Sequence, residues 1–245
     1  YQASETDYYR VYKFVENAVS YDRVENPEQF YQAAKAFGRF QNMLSDFPSE
    51  KLHETIVKFH DTRDRYEQLK RAAAEDPMGR AASVQKELEF AFAREKDTDV
   101  INENMKSGAV PLRVTHNDTK LNNVLLDQNT GEGVCVIDLD TVMPGSMLFD
   151  YGDALRFGAN HAAEDEKDLS QVYLDMELYE SFTKGFLEEM TDVTETEAEL
   201  LPFSAKMMTY ECGIRFLTDY LLGDTYFKCH YKGHNLDRAR TQLKL

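Results

Sequence analysis

Cysteine is scarce in this chain of 245 residues: Cys135, Cys212 and Cys229 are far apart, odd in number and free of any CxxC spacing, which argues against a disulfide framework and a zinc site. Long hydrophobic runs are missing as well. No window approaches the roughly 18 consecutive apolar residues of a membrane span, and the opening YQASETDYYR has neither a basic start nor an apolar core, so secretion and membrane insertion are not expected. A reducing cytoplasm fits best. Positive charge is in short supply: 28 Lys and Arg face 44 Asp and Glu, for a formal charge of −16, and no Lys/Arg cluster with interleaved aromatics offsets it. This balance disfavours nucleic acid as a partner. Glycine is absent before Gly38, and GxGxxG occurs nowhere. Tyr1 stands where an initiating Met would, which leaves processing or truncation open.

What is present reads as mainly α with a small β-hairpin insert. Tyr8 to Glu16 is rich in aromatic and β-branched residues and predicts one isolated strand. Asn26-Pro27 then opens a helix whose apolar residues Phe30, Ala33, Ala34, Phe37, Phe40 and Met43 recur at helical spacing. Polar helices are expected over Lys51 to Ala74 and Ala81 to Lys106. After Gly108 and Pro111 the period changes to strands, Leu112 to Thr115, Asn123 to Asp127 and Val134 to Asp138, the last two joined by the turn-rich QNTGEG. Helices return over Asp175 to Met190, Glu195 to Leu222 and Leu236 to Leu245. No internal repeat or low-complexity linker divides the chain.

The chemistry concentrates in RVTHNDTKLNNVLLDQNTGEGVCVIDLDTVMPGSMLFDYGDALRF, Arg113 to Phe157. Asp118 follows one strand and precedes Asn123 by five positions, while Asp138 ends the strand VCVID, so hairpin closure can gather all three. Phosphoryl transfer needs such a set: a carboxylate to orient a hydroxyl and take its proton, and hard oxygen ligands to hold Mg²⁺ against nucleotide phosphates. Asp118 suits the first role, and Asn123 and Asp138 suit the second. An acidic chain can still bind ATP, because the ion and local donors neutralise the phosphates. Lys120 and Arg156 are the nearest cations and could meet phosphate or substrate oxygens, or be ordinary ion-pairing residues. Histidines around His161 and at His230 and His234 lack a HExxH pattern or supporting carboxylate, so metal binding there is not expected.

HNDTKLNNVLLD, followed by CVIDLDTVMPG and FDYGD, resembles the aminoglycoside phosphotransferase and choline kinase family, which shares the protein-kinase catalytic fold. RVYKFVENAV, AFGRFQ and ECGIRFLTDYLLGDTYFKCHY extend the likeness to the N-acetylhexosamine 1-kinase subgroup, over essentially the whole chain. The resemblance implies an ATP- and Mg²⁺-dependent transfer to a small-molecule hydroxyl, such as the anomeric hydroxyl of a sugar, with amino alcohols as the family's other acceptors. It puts the catalytic base at Asp118, the metal ligands at Asn123 and Asp138, and structural support at His116 and Asp150. Asp150 would brace the catalytic loop, or else act as a helix N-cap before Tyr151. Arg215 and Tyr226 would line the sugar pocket; alternatively Arg215 pairs with Glu211 one turn earlier and Tyr226 packs in the core.

The same resemblance implies that residues 1–21 are the last strand of a small lobe and its hinge, with Asn17 to Tyr21 meeting the adenine, and that residues 22–245 are a helical catalytic C-terminal lobe. Lys13 in VYKFVEN superficially resembles the VAIK lysine. The N-terminal lobe itself is absent from this sequence, so the chain is expected to be truncated, with one wall of the ATP cleft open to water and turnover doubtful. Two rivals stand beside this reading. Asp138-Leu139-Asp140 could be the DxD of a glycosyltransferase, and the lobe could be a noncatalytic sugar- or protein-binding module.

Overall fold

The structure, a computed structural model, describes Ser4 and residues 9–245. In chain order its elements are β1 (Ala18–Val19), α1 (Pro27–Met43), α2 (Thr62–Glu75), α3 (Gln85–Phe92), α4 (Val100–Ser107), β2 (Arg113–Thr115), β3 (Val124–Asp127), β4 (Gly133–Val136), β5 (Met143–Gly145), α5 (Met147–Gly158), α6 (Met176–Glu189), α7 (Glu195–Leu222) and α8 (His234–Lys244). The long helices begin where local chemistry supplies a cap. Asn26 accepts from the Gln29 amide with Pro27 in the first turn, Asp175 caps α6, and Thr194 and Glu197 form a reciprocal capping box on α7. Gly223, at φ 103°, ends α7 in the left-handed conformation that glycine adopts without a Cβ penalty.

Packing follows the apolar faces. Phe30, Ala33, Ala34 and Phe37 of α1 are buried against α6, where Phe182 and Phe186 lie. Helix α5 is buried on nearly every side, with Met147, Leu148, Tyr151, Ala154 and Leu155 in the core, and it packs on α7, which also carries α2 and α8. The strands form two small antiparallel sheets. One has the order β1-β3-β4, with Val124 opposite Val136 and an irregularity at Leu125/Leu126; the other pairs β2 with β5, Val114 opposite Pro144. Together they hold the 116–123 and 137–141 loops against the start of α5.

Several sequence expectations shift. Tyr8 lies outside the described residues, and residues 9–15 form no strand; the first ladder is Ala18–Val19 on β3. A strand exists through its hydrogen bonds to a neighbour, and residues 9–15 join no ladder among the described residues, although Arg10 pairs with Asp140; Val11 is 90% and Phe14 82% exposed. The helix expected from Lys51 starts only at Thr62, because Asp61 caps it by accepting from the Asp64 amide, and β-branched Thr55, Ile56 and Val57 precede that cap in irregular chain. The Ala81 to Lys106 segment is split into α3 and α4 with 3₁₀ turns before and between them, the second closed by the Thr98 hydroxyl on the Glu95 carbonyl. The VCVID strand stops at Val136, leaving Asp138 beyond it in left-handed conformation. Met43, expected on the core face, is exposed at the end of α1.

The α5–α7 crossing is close because Gly152 faces α7: a Cβ there would come within 2.5 Å of the Ser204 carbonyl oxygen and 2.7 Å of Met208 Cγ. Gly152→Ala is therefore expected to destabilise the fold by about 1–3 kcal/mol despite alanine's better helix propensity. Urea unfolding checks this; a midpoint at or above the parent's would show that the helices can part without cost.

Candidate active site

Between β2 and β3 the chain reads HNDTKLNN, and its backbone is held by one buried carboxylate. Asp150, in the first turn of α5, accepts the His116 amide at 2.8 Å and the Asn117 amide at 2.6 Å, and Gln41 of α1 donates to it at 2.5 Å. Ser146 takes the N-cap instead, accepting from the Leu148 amide. The Thr119 hydroxyl adds a bond to the Asp150 carbonyl. Burial pushes the Asp150 carboxyl up, although the two amides and Gln41 oppose it. Asn117 sits at φ 64°, a left-handed turn that asparagine tolerates, with its side-chain amide bonded to the Thr115 and Thr141 carbonyls.

His116 is fully buried and works as a strut. Its Nε2 lies 2.9 Å from the Ile137 carbonyl and its Nδ1 is 3.3 Å from the Asp118 amide, so the neutral ring donates at Nε2 and accepts at Nδ1. The rings of Phe37 and Phe40 meet it edge-on. The Ile137 amide in turn donates to the Asn123 carbonyl at 2.9 Å. Asp138 is the next residue, so its backbone is fixed by the residues that carry Asp118 and Asn123.

The side chains converge accordingly. Asn123 Nδ2 donates to the Asp118 carbonyl at 2.8 Å and to its carboxylate at 3.3 Å, which leaves Asn123 Oδ1 with no hydrogen-bond donor among the described residues. Lys120 Nζ lies 2.8 Å from the Asp118 carboxylate. Burial works against the Lys120 charge, but Asp118 overcomes it, with help from Asp153, and the ammonium is held above its ordinary range. Asp138, at φ 60°, is exposed, and among the described residues its carboxylate has no hydrogen-bond or ion-pair partner. The free amide oxygen of Asn123 and the free carboxylate of Asp138 are hard ligands of the kind Mg²⁺ takes, alongside its own waters. Among the described residues no group of three or more His, Cys, Asp or Glu could hold a metal, so a closed protein cage is not part of this site.

Asp118 opens into a cavity of about 520 Å³ whose walls include Lys120, Asp153, Arg156, Arg215, Tyr226 and Phe227. A larger one of about 660 Å³, lined by Phe90, Leu174, Met176 and Leu243, contains none of Asp118, Asn123 or Asp138, so size alone does not identify the reactive site. Arg215 does not pair with Glu211. Its guanidinium lies over the rings of Phe59 and Phe227, and among the described residues none of its donors is taken up by a hydrogen bond. Tyr226 is not core: it is 66% exposed, on a loop whose Thr225, Tyr226 and Phe227 amides all point at the Asp219 carboxylate. Arg156 is buried and paired with Asp153 at 2.8 Å and Glu164 at 3.1 Å.

One residue had no signal in the sequence. His60, in irregular chain before α2, is buried with Nδ1 2.9 Å from Glu211 and Nε2 3.1 Å from the Asn117 carbonyl. The Thr62 hydroxyl takes the other Glu211 oxygen at 2.6 Å. Burial opposes the His60 charge, but Glu211 outweighs it and the ring is held above its ordinary range; burial likewise opposes the Glu211 charge, and His60, Arg215 and Thr62 hold that carboxyl below its range. Two other histidines also have carboxylate partners, contrary to expectation: His161 with Asp175 at 2.7 Å and His234 with Asp165 at 3.2 Å. Each is a single pair rather than a metal cluster.

A family model described as phosphotransferase enzyme family matches residues 2–184, a span that takes in the whole 116–138 constellation and α5. Among the described residues no helix is long and apolar enough to cross a membrane.

Two outcomes are expected. Asp150→Ala strands two buried amides at about 1–3 kcal/mol each, so denaturant unfolding is expected to show a loss of about 3 kcal/mol, with protease cleavage appearing in the 116–123 loop; a loop that stays resistant would mean that Asp150 does not hold it. The His60–Glu211 pair sets a pH window. Glu211, depressed, contributes stability that is present above about pH 4.3 and lost as pH falls through its folded value; His60, raised, contributes stability that is present below about pH 6.5 and lost as pH rises through its folded value. Urea midpoints measured against pH are expected to decline on the alkaline side for the parent chain and less so for His60→Gln; parallel curves would refute the assignment.

Proposed function

We propose, from the premise that the chain belongs to the phosphotransferase enzyme family, that its reaction is transfer of the ATP γ-phosphate to a small-molecule hydroxyl, and that the acceptor is an N-acetylhexosamine or related sugar phosphorylated at its anomeric hydroxyl. The observation that carries this reading is the Asp118 carboxylate, bracketed by Asn123 and Lys120 at the mouth of a cavity large enough for a monosaccharide. In this reading residues 22–245 act as the catalytic lobe and residues 1–21 as the hinge side of the nucleotide cleft.

Asp118 orients the acceptor hydroxyl and takes its proton as the oxygen attacks the γ-phosphorus, while the bond to the β-phosphate oxygen breaks and ADP leaves. Asn123, through its free Oδ1, and Asp138, through its exposed carboxylate, would hold Mg²⁺. The ion, when bound, supplies charge neutralisation at the nucleotide phosphates. Lys120 restrains Asp118 and places positive charge where the transferred group passes. His116 and Asp150 keep the loop backbone fixed, so little reorganisation accompanies the transfer.

Charge in the cavity supports a sugar over a cationic acceptor. Lys120, Arg156, Arg215, Lys228 and Arg238 line it beside four carboxylates, those of Asp118, Asp153, Glu164 and Glu211, so choline or an aminoglycoside would add positive charge where cations already outnumber anions. The free donors of Arg215 suit hydroxyl or acetamide oxygens, and the exposed Tyr226 ring offers a flat apolar face with a hydroxyl. The glycosyltransferase alternative has less behind it: Asp140 of the DxD is paired with Arg10, and the sheets are short and antiparallel, unlike a nucleotide-binding α/β sheet. A noncatalytic lobe would have no need of the Asp118, Asn123 and Asp138 set. Three free cysteines suit a reducing compartment supplied with ATP, the cytoplasm.

ADP formation with a panel of hexosamines, choline, homoserine and an aminoglycoside is the direct test. With protein that also carries the small-lobe sheet, hexosamines are expected to be phosphorylated, EDTA to stop the reaction and added Mg²⁺ to restore it. Asp118→Asn is expected to cost about 10³-fold or more in kcat while calorimetric sugar binding stays near the parent value. Transfer that survives this change would rule out Asp118 as the base.

A further inference from the structure

We propose that His60 is a positioning residue for Asp118: held as an imidazolium between Glu211 and the Asn117 carbonyl, it fixes the left-handed turn that presents the Asp118 carboxylate to the acceptor. This rests on the phosphotransfer reading for its functional consequence, though not for its physical content.

With Glu211 as a carboxylate, the geometry calls for two ring protons. Nδ1 faces a carboxylate oxygen at 2.9 Å and Nε2 a carbonyl oxygen at 3.1 Å, and both are acceptors. A neutral ring donates through one nitrogen only and would turn a lone pair towards the other oxygen. The neutral alternative puts one proton on the Glu211 oxygen that faces Nδ1; the Thr62 hydroxyl donating to the other oxygen, and Arg215 one turn along α7, favour the carboxylate instead. His60 and Glu211 are both almost fully shielded from water, so the charged ring and the carboxylate sustain each other. The contrast with His116 is chemical: there one nitrogen donates to a carbonyl and the other accepts an amide, and one proton suffices.

The position of this ion pair gives it leverage. Glu211 and Arg215 lie one turn apart on α7, and Arg215 lines the acceptor cavity; His60 therefore ties the helix that carries an acceptor-facing cation to the residue preceding the proposed base. Asn117 has its amide on Asp150 of α5 and its carbonyl on His60, so the peptide groups on either side of its φ 64° turn are both anchored, and Asp118 follows directly. The rings of Phe59 and Phe149 cover the imidazole at 4.5 and 5.3 Å and keep it from rotating away. The charged groups facing it are Glu211 and Arg215 from α7, Asp153 from α5, Asp118 and Lys120 from the loop, and Asp61 beside it in its own segment.

Loss of the second ring proton would leave either Glu211 or the Asn117 carbonyl facing a lone pair, and the turn would relax. Misplacement of a reacting group by about 1 Å costs on the order of 10²-fold in rate, so the effect belongs in kcat rather than in nucleotide affinity. His60→Gln supplies one donor but turns an amide oxygen towards Glu211. In His60→Gln/Glu211→Gln the second amide can donate to the first, restoring a neutral, satisfied pair.

Ring-nitrogen NMR on the full chain tests the physical claim without reference to activity. The expected result is a His60 ring protonated at both nitrogens at neutral pH, and amide resonances of Asn117 and Asp118 that move with the same midpoint as its deprotonation. A singly protonated ring, or loop amides indifferent to that titration, overturns the proposal even if the enzyme is active. Kinetics with ATP and an acceptor found to be turned over then read the consequence: kcat falling on the alkaline side with the ring's midpoint, a loss of about 10²-fold in His60→Gln with unchanged KM for ATP, and partial recovery in the double variant. A His60→Gln enzyme with the parent kcat also overturns it. Protein that carries the small-lobe sheet as well and shows the coupled NMR titration but no phosphotransfer in any acceptor assay would sink the proposed function and leave the positioning role standing.

Discussion

The site depends first on one buried carboxylate. Asp150 takes two consecutive loop amides and the Gln41 side chain, and so joins α5, α1 and the 116–123 loop at a single point. A polar loop cannot enter a folded interior unless its backbone groups are paired, and here no strand or helix is available to pair them. Taking Asp150 out of water is costly, and the hydrogen bonds it receives offset that cost only while the loop keeps this shape. The loop conformation and the burial of α5 are thus one structural fact.

The same solution recurs around the molecule. Asp219 of α7 gathers the Thr225, Tyr226 and Phe227 amides and the Asn235 side chain, which shapes the loop at the cavity rim. Glu197, fully buried, receives two bonds from Arg113 of β2 and fixes the start of α7 beside the strand that leads into the site. Glu211 receives His60 and Thr62. A protein with a formal charge of −16 uses some of its carboxylates as internal acceptors for stray backbone and side-chain donors, so net charge describes its solvated faces better than its site. At the cavity the balance is different, with Lys120, Arg156, Arg215, Lys228 and Arg238 set among Asp118, Asp153, Glu164 and Glu211.

Two left-handed residues mark the turns of the candidate site, Asn117 before Asp118 and Asp138 itself. Such backbone is sparsely populated for residues with a Cβ and persists where the surroundings overdetermine it. Around Asn117 the surroundings are Asp150, His60, Thr115 and Thr141; at Asp138 they are the Ile137 bonds to Asn123 and His116 and the Thr141 hydroxyl on the His116 carbonyl. The two turns are therefore laced to each other, which keeps Asp138 close to the loop that carries Asp118.

By itself the sequence determined whatever depends on near neighbours. Helical spacing after Asn26-Pro27 located α1, the expected Glu195 to Leu222 span matches α7, and the hairpin between Asn123 and Asp138 brings the turns that carry them together. Tertiary structure alone decided the rest. The aromatic run before Glu16 is no ladder without a partner strand. His60 and Glu211 are 151 residues apart, and Gln41 and Asp150 are 109 apart. Periodicity records which face of an element is apolar; it does not record which distant proton donor will be brought to a buried acceptor, because that is fixed only when the helices pack and water is excluded.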